Sequence, residues 1–302
     1  MRLSEWIGMK YLTSLSRKPR YGFNLRLGLA LALIAPLMAC STIEGLNPFA
    51  TAKYKTKIDP VVPVDSMYDQ GLARLAKHDD KDAAEQFSKI ALNHPFSSYA
   101  EKSSLMEAYA DYRAGKYDDA IGAAHTFYGR YPTSPDVPYA LYLAGMSYYQ
   151  QIPDISRDQT VTAKANGIFQ EIVTKYPNTP YAEEAKFKLL VTQDQLAGKQ
   201  MSIGRYYLTR RDYPAAVTRF RNVLSQYQRT RHTPEALERL TEAYLALGLP
   251  DEAQTAAAVL GHNFPDSPWY KDAYSLLKGR GLAPHENPGS WISTLAHQVG
   301  LG

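Results

Sequence analysis

One phrase recurs along this chain and sets its period. It stands most completely as KYPNTPYAEEA at 175–185, and looser versions begin at Asn93, Arg130, Gln226 and Asn263. Each copy follows an apolar stretch, and all but the one with Gln228 contain a proline that stops a helix. The Ser or Thr that follows is typical of a cap on the next helix. The phrase therefore predicts the boundary between successive helical units.

Within the units, small and aromatic residues keep a regular spacing. In the first unit Gly71 is followed by Ala83, then by Phe87, and then by Pro95. This order resembles the tetratricopeptide repeat, a helix–turn–helix unit of about 34 residues in which small residues let two helices approach and an aromatic fills the gap. Four more units follow over 66–265. We therefore predict an all-α fold, a superhelical solenoid of about five tetratricopeptide repeats.

Some segments depart from the regular unit. The second unit has Ala124 at the aromatic position, and the third carries eight extra residues in its turn. Two predicted helices, 179–198 and 267–279, lie outside the five units, and the second should cover the end of the stack. The repeat domain is thus expected over 66–279. Residues 280–302 begin Pro/Gly-rich and predict a tail that is disordered until bound, although WISTLAHQV could form one or two amphipathic turns.

The N-terminal segment, residues 1–39, has the pattern of a signal peptide. A basic stretch ends at Arg26, and a 13-residue apolar run follows at 27–39. Such a run rises roughly 20 Å as a helix, short of the ~30 Å hydrocarbon core, so a transmembrane span is disfavoured. Met1 and Met9 both leave a charged leader and both serve as candidate starts. Residues 40–65 lack a helical period and predict a flexible tether.

The single cysteine of the chain, Cys40, directly follows the apolar run. Leu37–Cys40, LMAC, resembles the lipobox of bacterial lipoproteins, which implies that Cys40 carries a covalent lipid. Ser41 stands where many lipoproteins retained at the inner membrane have Asp, which implies sorting to the outer membrane. The alternative is a buried or stray thiol after an ordinary signal.

Charge and motifs exclude several functions. Subtracting the six basic and one acidic residues of the leader from 34 and 30 leaves 28 basic against 29 acidic residues, so nucleic acid is not an expected partner. No hydrolase, phosphate-loop or metal-binding motif occurs, and the seven histidines form no i, i+4 pair. We predict no catalysis, no metal and no cofactor other than the lipid on Cys40.

Two candidate binding surfaces remain. First helices of repeats line the concave face of such solenoids. Their tyrosines and neighbours suit an extended peptide, although each ring could instead pack between helices. The predicted groove consists of Tyr68, Tyr109, Tyr112, Arg113, Tyr142, Met146 and Tyr149. The fourth unit carries a basic cluster of which Arg219 and Arg221 lie on the second helix, where they could pair with a partner's carboxylates or form a solvated face.

These features together resemble the BamD (ComL) family of lipoproteins, which serve the machinery that folds β-barrels into the bacterial outer membrane. The match includes the insert Asp154–Asp158, DISRD, and the segments 163–186 and 204–224. The resemblance implies a lipid-anchored protein on the periplasmic face of the outer membrane. It implies docking to the barrel subunit BamA through Arg219, association with other lipoproteins of the complex, and receipt of unfolded barrel precursors in the tyrosine groove.

Three alternative interpretations of the function remain. A pilus-secretin pilotin also combines a lipobox with such repeats, but lacks the insert in the third repeat. A peptidoglycan-associated coordinator would show an N-terminal coiled coil, and no heptad run precedes Ser66. An envelope hydrolase would need a second domain of its own.

Overall fold

The structure is a computed structural model that describes residues 62–301. This part of the chain contains twelve α-helices and no strand. They are α1 Val64–Ala76, α2 Asp80–Asn93, α3 Ala100–Arg113, α4 Tyr117–Arg130, α5 Val137–Gln150, α6 Thr160–Lys175, α7 Pro180–Thr209, α8 Tyr213–Gln226, α9 Thr233–Ala246, α10 Pro250–Asn263, α11 Pro268–Lys278 and α12 Trp291–Val299. Cys40, the predicted signal peptide and most of the predicted tether lie outside the described residues.

Each helix from α1 to α10 packs on the next, α3 also contacts α5, and α5 also contacts α7. At the C-terminal end α11 packs on α9 and α10, and α12 packs on α10. This arrangement confirms the predicted all-α stack of helical hairpins. None of the helices within 62–301 is both long enough and apolar enough to cross a membrane.

Glycine and phenylalanine hold the hairpins together. A Cβ added at Gly71 would lie 2.6 Å from Phe87, and one at Gly204 would lie 2.4 Å from Phe220. Because the glycines have no side chain, the two helices approach until the ring fills the space between them. The second hairpin achieves the same packing differently: Ala124 is small, and Phe127, one turn later on the same face, is fully buried. The missing aromatic of the second unit is therefore replaced three residues further on.

The recurring phrase forms the same backbone turn each time. The N–H of its Ser or Thr donates to the carbonyl oxygen three residues earlier, at Ser97, Ser134, Thr179, Thr230 and Ser267, over 3.0–3.1 Å. The predicted side-chain caps are mostly absent: of the five helices that follow the phrase, α11 alone has one, from Ser267. The hydroxyls of Thr179 and Thr230 instead donate back into the turn. Residue 228 is the second residue of this turn and contributes no group to its hydrogen bond, so Gln serves there as well as Pro.

The helix α7 differs from the sequence prediction. We expected a separate helix over 179–198, but Pro180–Thr209 is one helix of 30 residues. The helix continues past Gly198. The missing side chain of Gly198 makes room for the loop between α5 and α6. A Cβ there would lie 2.4 Å from Ile155 Cδ1. The loop is further held by Gln195, which donates to the carbonyl of Pro153 at 3.1 Å, and by Lys199, which donates to that of Ser156 at 2.8 Å.

The C-terminal segment is ordered, contrary to the expectation of a disordered tail. Its helix α12 buries Ile292 and Ala296 in the hydrophobic core that α8, α9 and α10 share. The reason was present in the sequence. Ser290 caps the helix by accepting from the N–H of Ile292 at 3.1 Å, and Gly300 ends it in the left-handed conformation at φ 75°.

Candidate functional site

Four tyrosines form a continuous row along the first helices of the second and third hairpins and the start of α7. The ring centroids of Tyr109 and Tyr139 are 6.4 Å apart, those of Tyr139 and Tyr181 are 5.1 Å apart, and those of Tyr142 and Tyr181 are 5.6 Å apart. We call Tyr109, Tyr139, Tyr142 and Tyr181 the tyrosine row. All four are half-buried, so each ring packs on one side and is open to solvent on the other.

Neighbouring residues fix the first end of this row. The guanidinium of Arg113 lies 5.7 Å from the centre of the Tyr109 ring and is itself held by Asp80 at 3.2 Å. Tyr112 packs against Tyr117 at 5.9 Å between centroids, and its hydroxyl accepts a hydrogen bond from Gln150. Tyr109, Tyr112, Arg113 and Tyr142 of the predicted groove therefore lie on one surface.

Three other predicted groove residues are placed differently. Met146 is 8% exposed and belongs to the core, so it does not line this surface. Tyr68 is half-buried and packs edge-on against Phe87 of the first hairpin at 5.5 Å. Tyr149 packs edge-on against Phe169 but offers its ring to Lys188, whose ammonium nitrogen lies 4.5 Å from the ring centre.

Burial acts on two hydroxyls of the tyrosine row, those of Tyr139 and Tyr142. Burial raises the pKa of Tyr139 to about 12, and burial together with a hydrogen bond to Glu184 raises the pKa of Tyr142. The row therefore presents uncharged rings with hydrogen-bonding tips. Such a surface can contact apolar side chains and backbone amides of an extended chain together.

Two members of the row were not among the predicted groove residues. Tyr139 and Tyr181 both belong to the recurring phrase, as the Tyr of VPYA and TPYA, and Tyr99 of SSYA is their counterpart in the first copy. Tyr99 contacts Tyr68 at 5.2 Å. The phrase was interpreted as a helix boundary alone, whereas its tyrosine also starts each first helix. The repetition of Tyr-Ala in three copies was the signal that could have identified these residues.

The predicted docking residues Arg219 and Arg221 point in different directions. Two positions apart on α8, their side chains are separated by about 200° around the helix. Arg219 is half-buried and donates to the amide oxygen of Gln200 on α7 at 3.4 Å. Arg221 is exposed and lies with its guanidinium 4.6 Å from the centre of the Trp291 ring on α12. Both arginines stay candidate docking residues, on different sides of α8.

The rest of the basic cluster is dispersed in the same way. Arg205 pairs with Glu235 at 2.8 Å, and Arg210 lies over the ring of Tyr206. No group of three or more His, Cys, Asp or Glu residues within 62–301 is placed to hold a metal ion. The arrangement of these two surfaces is that of a protein-binding scaffold.

Comparison with known proteins agrees with this geometry. Residues 62–260 match the YfiO family of outer membrane lipoproteins. The outer membrane protein assembly factor BamD of Caulobacter vibrioides is 42% identical over 255 residues, which cover 84% of this chain and 83% of that protein. BamD of Rickettsia prowazekii is 39% identical over 81% of this chain and 98% of its own length. BamD of Xylella fastidiosa is 32% identical over 72% and 78%. This chain therefore belongs to the BamD family of outer membrane protein assembly factors.

Proposed function

We propose that this chain is a non-catalytic lipoprotein of the barrel-assembly complex, which docks to a BamA-like barrel subunit and receives unfolded outer-membrane protein precursors. The observation that carries the proposal is the tyrosine row. It places four neutral, amphipathic rings in contact along neighbouring first helices, between α3 and the start of α7.

The chemistry of the row fits an unfolded barrel strand. Such a strand alternates apolar and polar residues and has unpaired backbone groups. Rings such as Tyr139 and Tyr181 supply apolar area at a small cost in side-chain entropy, and their hydroxyls bond to free amides. Lys188 and Arg113 flank the row with positive charge, which would favour an acidic residue or a terminal carboxylate of the strand.

Arg219 has donors available for the docking role. Its one hydrogen bond within the described residues is a long one, 3.4 Å to Gln200, so most of its five donors are available to a partner. A carboxylate of a BamA-like subunit could form a bidentate ion pair with Arg219. Arg221 contacts the ring of Trp291 and so also helps to hold α12 in place.

Membrane attachment completes the proposal. Cys40 would carry the lipid anchor, residues 1–39 would be removed as a signal peptide, and 40–65 would connect the anchor to the repeats. The protein would then lie on the periplasmic face of the outer membrane beside the other lipoproteins of the complex, without a cofactor and without contact to nucleic acid.

Site-specific photo-crosslinking in the native host tests both surfaces. A crosslinking amino acid replaces Arg219 in one strain and Tyr112 in another, and Gly129, exposed on α4 with open space around it, serves as the control site. We expect a BamA-like barrel subunit at Arg219, unfolded barrel precursors at Tyr112, and neither at Gly129. Capture of a secretin subunit at Arg219 would favour a pilotin, and absence of barrel proteins from both sites would refute the proposal.

A further inference from the structure

A groove of about 550 Å³ lies on another side of the N-terminal hairpins, between the second helices α2 and α4. Its floor is one face of α3, on which Ser104, Glu107 and Asp111 follow one another at helical spacing. Acidic residues also line the rim, so we call it the acidic groove. Its residues differ from those of both surfaces proposed above, although α3 contributes to this groove and to the tyrosine row.

Asp111 is the unusual residue of this groove. It is 6% exposed, yet no hydrogen bond or ion pair from the described residues reaches its carboxylate. Buried carboxylates are normally paired or hydrogen-bonded, because removing the charge from water is costly. Burial raises the pKa of Asp111 to about 6 and also raises that of Glu107. The Asp111 carboxyl thus lies on the floor of the groove without a hydrogen bond or ion pair from the described residues, and Lys116 of the same groove is the charged group with the largest effect on its pKa.

Several other charged residues of the groove have contacts of their own. Glu85 pairs with Lys89 at 2.7 Å, Asp119 with Lys116 at 3.6 Å, and Asp118 accepts from Gln151 at 3.3 Å. Arg130 donates to the backbone carbonyl of Ala91, at the far end of the groove. Of the charged residues that line it, three are basic (Lys81, Lys116 and Arg130) and five are acidic (Glu85, Glu107, Asp111, Asp118 and Asp119), which leaves a net charge of −2.

We propose that the acidic groove binds a lysine or arginine side chain presented by a folded protein partner, with Asp111 as its ionic partner. Charge complementarity argues for a cation at the floor. Leu92, which lines the same groove and is 66% exposed, argues that the cation comes with an apolar neighbour, as on a protein surface. Two floor carboxyls are too few for a calcium site, which takes six to eight oxygen ligands.

Two glycines of α4 allow a matched crosslinking experiment. Gly122 lines the groove and Gly129 does not, and a Cβ at either would meet nothing within 4 Å. A photo-crosslinking amino acid is placed at each position in the full-length lipoprotein, in membranes of the native host. We expect a discrete adduct from Gly122 alone, with a Lys or Arg in the captured peptide. A partner that adopts its own fold is distinguished from an unfolded precursor by its resistance to limited proteolysis.

The adduct must also depend on the floor carboxyl. A charge-assisted hydrogen bond contributes about 1.5–3 kcal/mol, so Asp111→Asn should lower the yield from Gly122 about tenfold or more. Glu107→Gln gives an independent second variant, and the thermal unfolding midpoint of each checks that the protein is folded. An adduct insensitive to both variants, an equal adduct from Gly129, capture of unfolded precursors alone, or no adduct would overturn the proposal.

Discussion

Gly204 shows how one residue sets the distance between two helices. It is buried on α7 against the ring of Phe220, and Gly71 and Gly145 hold the same relation to Phe87 and Phe169. Single hydrogen atoms at these positions therefore determine how closely the first and second helices of three hairpins pack.

Substitution of Gly204 by alanine should destabilise the fold. The new Cβ would lie 2.4 Å from the Phe220 ring, which is fully buried and cannot move away, so we expect a loss of about 1–3 kcal/mol in unfolding free energy. Gly122→Ala is the control, because its Cβ has open space and alanine is the better helix former by about 0.8–1 kcal/mol. Denaturant unfolding measures both, and equal midpoints would contradict the packing role of Gly204.

Glu238 is a residue whose charge depends on the fold. It is 3% exposed on α9, and burial raises its pKa to about 7 despite the neighbouring Arg239 at 3.2 Å. A carboxyl whose pKa is raised in the folded state does not lower the stability of the fold at pH values below its unfolded pKa near 4.5. It lowers the stability increasingly as the pH rises from there toward 7.

Glu238→Gln should therefore be more stable than the unsubstituted protein at pH 8 and similar at pH 4, with a difference of about 2–3 kcal/mol at most. Unfolding free energies measured between pH 4 and 8 give this difference. Asp154→Asn provides a contrast of opposite sign, because hydrogen bonds from Ser156 lower the pKa of Asp154. Its stabilisation is present above the unfolded pKa and is lost as pH falls. Parallel curves for Glu238→Gln and the unsubstituted protein would argue against a strained carboxyl.

At the scale of elements, α7 and the loop before α6 depend on each other. The loop carries the eight extra residues of the third unit, and it packs where α7 continues past the regular length of a repeat helix. Ile155 enters the space that Gly198 leaves open, and His232 lies on the same side. The insertion and the long helix are thus two parts of one packing arrangement.

A double-mutant cycle tests this arrangement. Gly198→Ala should destabilise by about 1–3 kcal/mol, because its Cβ would meet Ile155 at 2.4 Å. Ile155→Ala should cost less, since the side chain is half-buried, and in the double variant part of the loss at Gly198 should be recovered. Thermal unfolding and limited proteolysis of the loop measure the coupling. Strictly additive losses would show that Ile155 and Gly198 do not interact.

Elements with a local signal were predictable from the sequence, and elements defined by long-range contact were not. The hairpins followed from Gly71, Phe87 and their counterparts, because the two residues of each such contact lie close together in the sequence at a regular spacing. The continuity of α7 depends on Ile155, more than forty residues before Gly198, and no local pattern records that contact. The same holds for the site: Tyr109 and Tyr142 were predicted, whereas their connection through Tyr181 arises only when α5 and α7 lie side by side.

At the scale of the molecule, α12 closes the C-terminal end of the stack. It was expected that 267–279 would cover this end, but α12 also lies over Leu224, Leu237 and Val259. Its Trp291 donates to the hydroxyl of Tyr244 at 2.9 Å and packs against Arg221. The last helix is therefore part of the folded domain and binds across three earlier helices.

Removal of residues 280–302 should weaken the whole domain. Exposure of the apolar surfaces that Ile292 and Ala296 cover should lower the thermal midpoint and increase binding of a hydrophobic dye. Trp291→Phe is the milder variant: it keeps a ring for Arg221 and loses only the bond to Tyr244, at a cost of about 1 kcal/mol. An unchanged midpoint in the shortened chain would show that α12 is an appendage rather than a cap.

The length of α7 has a mechanical consequence. At 1.5 Å per residue its 30 residues extend about 45 Å, with Tyr181 near one end and Gln200, the contact of Arg219, toward the other. A stiff rod of that length acts as a lever: a tilt of about 5° at one end displaces the other by about 4 Å. If a strand binds the tyrosine row and tilts α7 by this angle, Gln200, about 28 Å along the helix from Tyr181, shifts by about 2.5 Å, which is enough to strain its 3.4 Å hydrogen bond to Arg219. Binding at the tyrosine row would in this way displace the proposed docking surface at Arg219.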